Sequence, residues 1–330
     1  MSHLFQNCKL TSYYKHLLET LGNDHPLCRT VLPINDRAPL SGELADPLGE
    51  EKHRVCPGLI HTYPDKVLLL ATLKCAVYCQ YCTRGRLVGP GFQTFENSED
   101  HDDVLSNEWK LSDNVFQTLE NLKGVRDVLI SGGDPLTLPD AELDAVFSKV
   151  RKISHIRTVR LGSKVPAVMP ERITPKLAGL LTEHRIWLQL HFIHPAELTE
   201  EVGLALDTLA EAGVPMVAQT VLLKGINDDA DTLTELFYGL LENRVKPYYL
   251  FQCDPVLGSS SFRTPVQKGL DLMQELQGRG SGLALPNFCI DAPGGGGKIV
   301  LHPGTVLQRK KDSIVLTNYQ GKEYLYPDNL

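Results

Sequence analysis

The sequence predicts an α/β protein whose core is a partial (β/α)6 barrel. From residue 67 onward, short apolar runs alternate with stretches whose apolar residues recur at helical spacing. Repeated βα units imply a parallel sheet with right-handed crossovers. Six such units with one trailing run are too few for eight-fold closure, so an open barrel is expected. In such barrels the working residues gather at the carboxyl ends of the strands, and the polar motifs here fall at those ends.

Taken in order, Ser12 is placed to cap a helix with Tyr14, Leu17, Leu18 and Leu21 on one face, ended by Gly22. Residues 33–58, rich in Pro, Asp, Glu and Gly, read as an irregular wrap. The first strand is expected over 67–72, a short apolar run suited to a sheet buried on both faces. The polar, acidic stretch 90–106 reads as an exposed excursion. A helix carrying Val115, Leu119 and Leu122 follows, then a strand at 127–131. Leu143, Val146, Phe147 and Val150 mark the next helix by their i, i+3, i+4, i+7 spacing. Further strands are expected at 157–161, 187–192, 214–222 and 246–252. Helices are expected from Pro175, over 200–212, around Leu233 to Leu240, and over 266–276. The trailing run is 284–290. The chain thus divides into a helical and loop lead (1–60), the barrel (61–283) and a C-terminal segment (284–330).

Composition narrows the function. Of 330 residues, 42% are apolar and 22% charged, which describes an ordinary globular chain. A net charge of −7 without a long basic run argues against nucleic acid. The start lacks the basic flank and apolar core of a secretion signal. No apolar stretch reaches the roughly 18 residues of a membrane span. A cytoplasmic protein is expected, and its eight cysteines are not expected to form disulfides. Cys8, Cys28, Cys56, Cys253 and Cys289 read as free thiols.

The other three cysteines lie in Cys75-Ala-Val-Tyr-Cys79-Gln-Tyr-Cys82, directly after the first strand. Three thiolates from one tight loop can hold a cuboidal 4Fe-4S cluster and leave its fourth iron open. An open iron can chelate the amino and carboxylate groups of S-adenosylmethionine. A structural zinc site would want a fourth ligand at finger-like spacing, and none follows nearby. The spacing, with aromatic Tyr81 before the last cysteine, resembles that of radical S-adenosylmethionine (radical SAM) enzymes. A second motif, Asp291-Ala-Pro-Gly294-Gly295-Gly296-Gly297-Lys298, combines backbone freedom with a terminal amine. Such a lysine could bind phosphate or form a Schiff base with pyridoxal phosphate. It is not a nucleotide P-loop, because Ile299 stands where Ser or Thr is required. A third, Ser131-Gly132-Gly133-Asp134-Pro135, ends the second strand; alone it would read as a plain βα turn.

Together these motifs resemble the lysine 2,3-aminomutase family, over residues from about His25 to about Glu323. Further matching text includes Tyr63-Pro-Asp65, Cys82-Thr-Arg84, Tyr248-Tyr249, Cys253-Asp254 and Phe262-Arg-Thr-Pro265. The resemblance implies a TIM-like radical SAM barrel with an N-terminal helical segment and a C-terminal cofactor-binding segment. It implies that Cys75, Cys79 and Cys82 hold the cluster, with Tyr81 beside them. Ser131, Gly132, Gly133 and Asp134 would contact S-adenosylmethionine, and Lys298 after Gly294 to Gly297 would hold pyridoxal 5′-phosphate. Arg84 would grip the substrate carboxylate, and Asp254 and Asp291 would receive a distal ammonium. Apart from the resemblance, Asp254 reads as a turn residue before Pro255, and Arg84 as a solvated charge.

The implied reaction moves the amino group of a cationic L-α-amino acid, lysine or its rival arginine, from the α to the β carbon. An external electron donor would reduce the cluster. Two other readings are a radical SAM enzyme acting on lysine for translation factor P, and a non-catalytic iron–sulfur or pyridoxal-phosphate binding protein. The aspartate pair weighs against the first, and complete ligand sets for both cofactors weigh against the second. The family pattern is broken at Ile193 within His191-Phe-Ile-His194, at Thr62 and at Ser261. A structural zinc between subunits is not expected, since Asp229 replaces a cysteine and the chain ends at Leu330. A homo-oligomer would have to form by other contacts.

Anaerobic reconstitution is expected to load about four irons per chain, and Cys79→Ala to abolish that loading. Iron and sulfide analysis of both proteins checks this.

Overall fold

The computed structural model describes residues 9–32, 41–88, 111–277, 279–301, 306–317 and 322–329. The expected excursion at 90–106, Cys8 and part of the wrap at 33–58 lie outside them. Helix α1 spans Ser12–Leu21. Its cap is Thr11 rather than Ser12: the Thr11 side chain accepts from the Tyr14 N–H at 3.0 Å, which satisfies one of the first turn's free donors. Gly22 ends the helix at φ +91°, donating to the Leu18 carbonyl.

Ten strands form one sheet in chain order. Strands β1 (Arg54–Cys56) and β2 (Leu59–Tyr63) open it as an antiparallel edge. Seven parallel strands follow: β3 (Lys66–Thr72), β4 (Asp127–Gly132), β5 (Thr158–Ser163), β6 (Ile186–His191), β7 (Met216–Leu222), β8 (Lys246–Gln252) and β9 (Asn287–Ala292). Between them run α2 (Asp113–Asn121), α3 (Asp140–Arg151), α4 (Pro175–Glu183), α5 (Glu200–Glu211), α6 (Ala230–Glu242) and α7 (Val266–Gln277). These are the six βα units and the trailing strand that the sequence predicts.

The parallel strands are not apolar on both faces. Along β4, β5 and β7 every second residue is fully buried, including Val128, Ile130, Val159, Leu161 and Ala218. That face packs under the helices with Leu143, Phe147, Leu177, Leu206 and Leu236. Each such side chain contributes about 1.5–3 kcal/mol. The opposite face carries polar residues and faces a cavity.

The trailing strand turns back. Strand β10 (Gly297–Val300) pairs antiparallel with β9, so Lys298 sits in a strand rather than in a loop. Strands β11 (Val306–Arg309), β12 (Ser313–Thr317) and β13 (Glu323–Pro327) form a separate antiparallel sheet. The main sheet contains strands on both sides of residues 60 and 283.

A buried ion pair ties the N-terminal helix to the barrel. Glu197, fully buried, accepts from Lys164 Nζ at 2.5 Å, from Tyr14 Oη at 2.9 Å and from the Ile193 N–H at 2.6 Å. Burial opposes its charge, but Lys164 and these donors hold its pKa below the usual carboxylate value. The stability gained is therefore complete above the unfolded pKa and is lost as pH falls through the folded one. Glu197→Ala would leave Lys164 buried without its anion and is expected to cost about 3–5 kcal/mol. Urea unfolding of the variant at neutral pH measures this.

Candidate active site

Side chains alternate across a strand, so one face of the curved sheet gathers positions two residues apart. On the inner face these are Lys66 and Leu68, Asp127 and Leu129, Arg160, Gln189, Gln219, Tyr249 and Asp291. With Glu50, Thr62, Tyr63, Arg84, Tyr248 and Lys298 they line a cavity of about 280 Å³. A polar inner face marks a ligand space rather than a packed core.

Most charges on the cavity wall occur in pairs, while Lys66 lies over the Tyr63 ring, 4.2 Å from its centroid. Lys298 and Asp291 stand directly opposite each other across β9 and β10. Lys298 Nζ donates to both Asp291 oxygens, at 2.9 and 3.2 Å, and lies 4.9 Å from the Phe251 ring centroid. Burial works against the ammonium, but Asp291 more than offsets it and holds the lysine pKa above its ordinary value. The Lys298 backbone N–H donates to Tyr63 Oη at 2.5 Å. Arg84 donates through Nε and Nη2 to one oxygen of buried Glu50, both at 2.8 Å, and through Nη1 to Ser131 Oγ at 3.3 Å. Arg160 donates to Asp127 at 2.9 Å and to Gln189 at 3.2 Å.

Asp254 follows β8; among the described residues no ion pair holds its carboxyl group, which lies in the field of the others. Burial pushes its pKa well above the usual carboxylate range, and Asp291 pushes it further, against the opposing pull of Lys298 and Arg263. Asp254, Asp291 and Lys298 therefore form one electrostatic group, with Arg84 and Glu50 also on the cavity's border.

The cysteine loop leaves the end of β3 and turns tightly, with the Cys82 N–H bonded to the Cys79 carbonyl at 3.3 Å. Burial raises all three thiol pKa values, that of Cys79 to about 11. Cys75 is raised further by the charges of Cys82, Asp134 and Cys79, and Cys79 by that of Cys82 against the pull of Lys164. Among the described residues no three Cys, His, Asp or Glu side chains gather tightly enough for a single metal ion. A cluster sits between its thiolates and holds them farther apart than one ion does, and its positive irons offset their mutual repulsion. The donor set fits such a cluster. Beside it, Tyr81 Oη meets His191 Nε2 at 2.9 Å, and burial with the nearby Lys164 charge lowers the His191 pKa to about 3, leaving a neutral imidazole.

Several glycines of both motifs are also approached closely by the chain itself. A Cβ on Gly133 would lie 2.2 Å from the Lys74 carbonyl oxygen, so the turn after β4 can press against the cysteine loop only as glycine. Asp134 accepts from Ser163 Oγ and from the N–H groups of Leu136, Lys164 and Val165, which fills both of its oxygens. Ser131 touches Arg84. In the second motif Gly295 has φ +85°, and a Cβ there would meet His53 at 2.1 Å; one on Gly296 would meet Tyr324 at 2.4 Å, whereas Gly294 faces open space. Of the positions that break the family pattern, Thr62 lines the cavity and the Ser261 carbonyl accepts from Arg29 at 3.4 Å. His194 caps a short 3₁₀ turn through Nδ1, and Asp229 caps α6.

Glu50, Arg160, Gln189 and Gln219 carry no prior assignment from sequence. Their signal was period-two alternation within apolar runs, as in Trp187-Leu-Gln189-Leu-His191. Glu50 had no local signal, since its partner Arg84 is remote in the chain.

Comparison with known proteins matches residues 273–330 to the family described as Lysine-2,3-aminomutase. L-lysine 2,3-aminomutase of Fusobacterium nucleatum is 41% identical over 97% of this chain and 73% of its own length. Glutamate 2,3-aminomutase of Clostridioides difficile is 35% identical over 95% of this chain and 72% of its own. A solved radical SAM methyltransferase from Sphaerobacter thermophilus shares 16% identity and a TM-score of 0.45, over 70% of this chain and 68% of that one.

Gly295→Ala would force a side chain into the left-handed region and against His53, costing about 1–2 kcal/mol from the backbone alone. Faster hydrogen exchange at the Lys298 amide than in the unaltered protein is the expected outcome.

Proposed function

The chain belongs to the lysine 2,3-aminomutase family, a family of radical SAM aminomutases, and we propose that it moves the α-amino group of lysine or arginine to the β carbon with pyridoxal phosphate bound at Lys298. The observation that carries this reading is one cavity lined by Arg84, Asp291 and Lys298, with the buried Asp254 in the electrostatic field of the last two. When bound, the cluster with S-adenosylmethionine would supply the radical chemistry, and pyridoxal phosphate the unsaturated centre that a nitrogen migration requires. An external donor supplies the electron that reduces the cluster.

The residues do the rest. Arg84 binds the substrate carboxylate with its planar fork, steadied by Glu50 and Ser131. Asp254 and Asp291 take the distal cation. Tyr63 holds the Lys298 backbone in register, and Phe251 walls its amine. Enclosure by the sheet keeps water from the reacting carbon.

Charge favours lysine or arginine over the acidic substrate named for the Clostridioides relative. Glu50, Asp127 and Asp291 line the cavity and Asp254 lies in the field of Asp291, so a glutamate side chain would add a further carboxylate to that group. An unpaired buried charge costs about 3–5 kcal/mol, a factor of a hundred or more in turnover. An anaerobic assay with S-adenosylmethionine, pyridoxal phosphate and reductant is expected to convert lysine or arginine to the β-amino acid and to leave glutamate and alanine unchanged. Asp254→Asn is expected to lower kcat/KM for the cationic substrate at least tenfold. Unchanged turnover in that variant, or a preference for glutamate, would refute the assignment.

A further inference from the structure

We infer that attachment of pyridoxal phosphate at Lys298 unlocks the distal-charge site, because Lys298 itself occupies Asp291 until its amine is converted. This deepens the reading above and rests on it. The Lys298 ammonium is held by both Asp291 oxygens at 2.9 and 3.2 Å. The two residues are also direct partners in the β9–β10 register, so the pair is built into the hairpin rather than reached by a long, free side chain. A cationic ligand entering the cofactor-free cavity finds its anion already taken.

Attachment changes the donor count. The ammonium first gives up one proton, and the free amine adds to the aldehyde carbon: a C=N bond forms, the aldehyde C=O bond breaks, the oxygen leaves as water with the amine's two hydrogens, and the proton given up returns to the imine nitrogen. One N–H remains where there were three, and its charge is shared with a conjugated ring. A single N–H cannot serve both Asp291 oxygens as the ammonium does. Asp291 is then left without its bidentate partner in a low-dielectric wall beside Asp254. A distal ammonium or guanidinium restores the lost contact. Cofactor attachment therefore precedes cationic-substrate binding, and the cofactor-free protein discriminates against its own substrate.

The test uses binding, not turnover. Desamino-arginine carries the carboxylate and the distal guanidinium but has no amine able to condense with an aldehyde. Its affinity is measured by calorimetry for the cofactor-free protein, the pyridoxal-phosphate-loaded protein, and cofactor-free Lys298→Met and Lys298→Gln. Two variants guard against misfolding of one. The loaded protein and both variants are expected to bind at least tenfold more tightly than the cofactor-free protein. Adding Asp291→Asn to Lys298→Met is expected to cancel the gain. Equal affinity in the cofactor-free protein and both variants would overturn the exchange while leaving the substrate reading intact. Absence of binding in every form would overturn the substrate reading and the exchange with it.

Discussion

A charge withdrawn from water must find its opposite, and the interior of this barrel is arranged around that constraint. Three pairs line the cavity: Arg84 with Glu50, Arg160 with Asp127, and Lys298 with Asp291. Each brings together elements remote in sequence or joins adjacent strands. Asp254 shows the cost of lacking such a partner, since burial and Asp291 together drive it toward its neutral form. The fourth pair, Lys164 with Glu197, lies outside the cavity wall and anchors α1 through Tyr14. A lumen filled with Leu and Val would be more stable and would bind nothing with direction.

The barrel was legible because its signals are local. Apolar runs of strand length, helical periodicity and strand-end glycines lie within a few residues of one another, and all seven parallel strands and six intervening helices follow from them. The edge strands β1, β2 and β10 and the small sheet of β11 to β13 were not legible. They are short, and their partners are chosen by packing rather than by a turn signal. The cap of α1 moved by one residue because Thr and Ser stand side by side, and only geometry separates two good caps.

The site was legible in its chemistry and not in its pairing. Cys75, Cys79 and Cys82 announced themselves by spacing, and Lys298 by the glycines before it. Sequence reading assigned those glycines to a ligand. In the structure Gly132 and Gly133 allow two loops to touch, and Gly295 and Gly296 admit His53 and Tyr324. A glycine run reports close approach of something to the backbone, and sequence does not say whether that is ligand or protein. Likewise Asp291 and Lys298 were read as separate instruments, because their opposition arises only when β10 folds back on β9.

That hairpin is braced from both ends of the chain: His53 packs under Gly295, Tyr63 bonds Lys298, and Tyr324 closes over Gly296. The cysteine loop draws on later parts of the barrel as well as on Thr72 to Lys74 and the turn after β4: Tyr81 bonds His191 at the end of β6 and packs on Phe262, and Cys79 lies against the same cluster. A chain emerging from the ribosome folds its early segments first. The cysteine loop, made early, therefore stays without His191 and Phe262 until most of the barrel has followed it, and its setting is completed only shortly before the lysine hairpin is made.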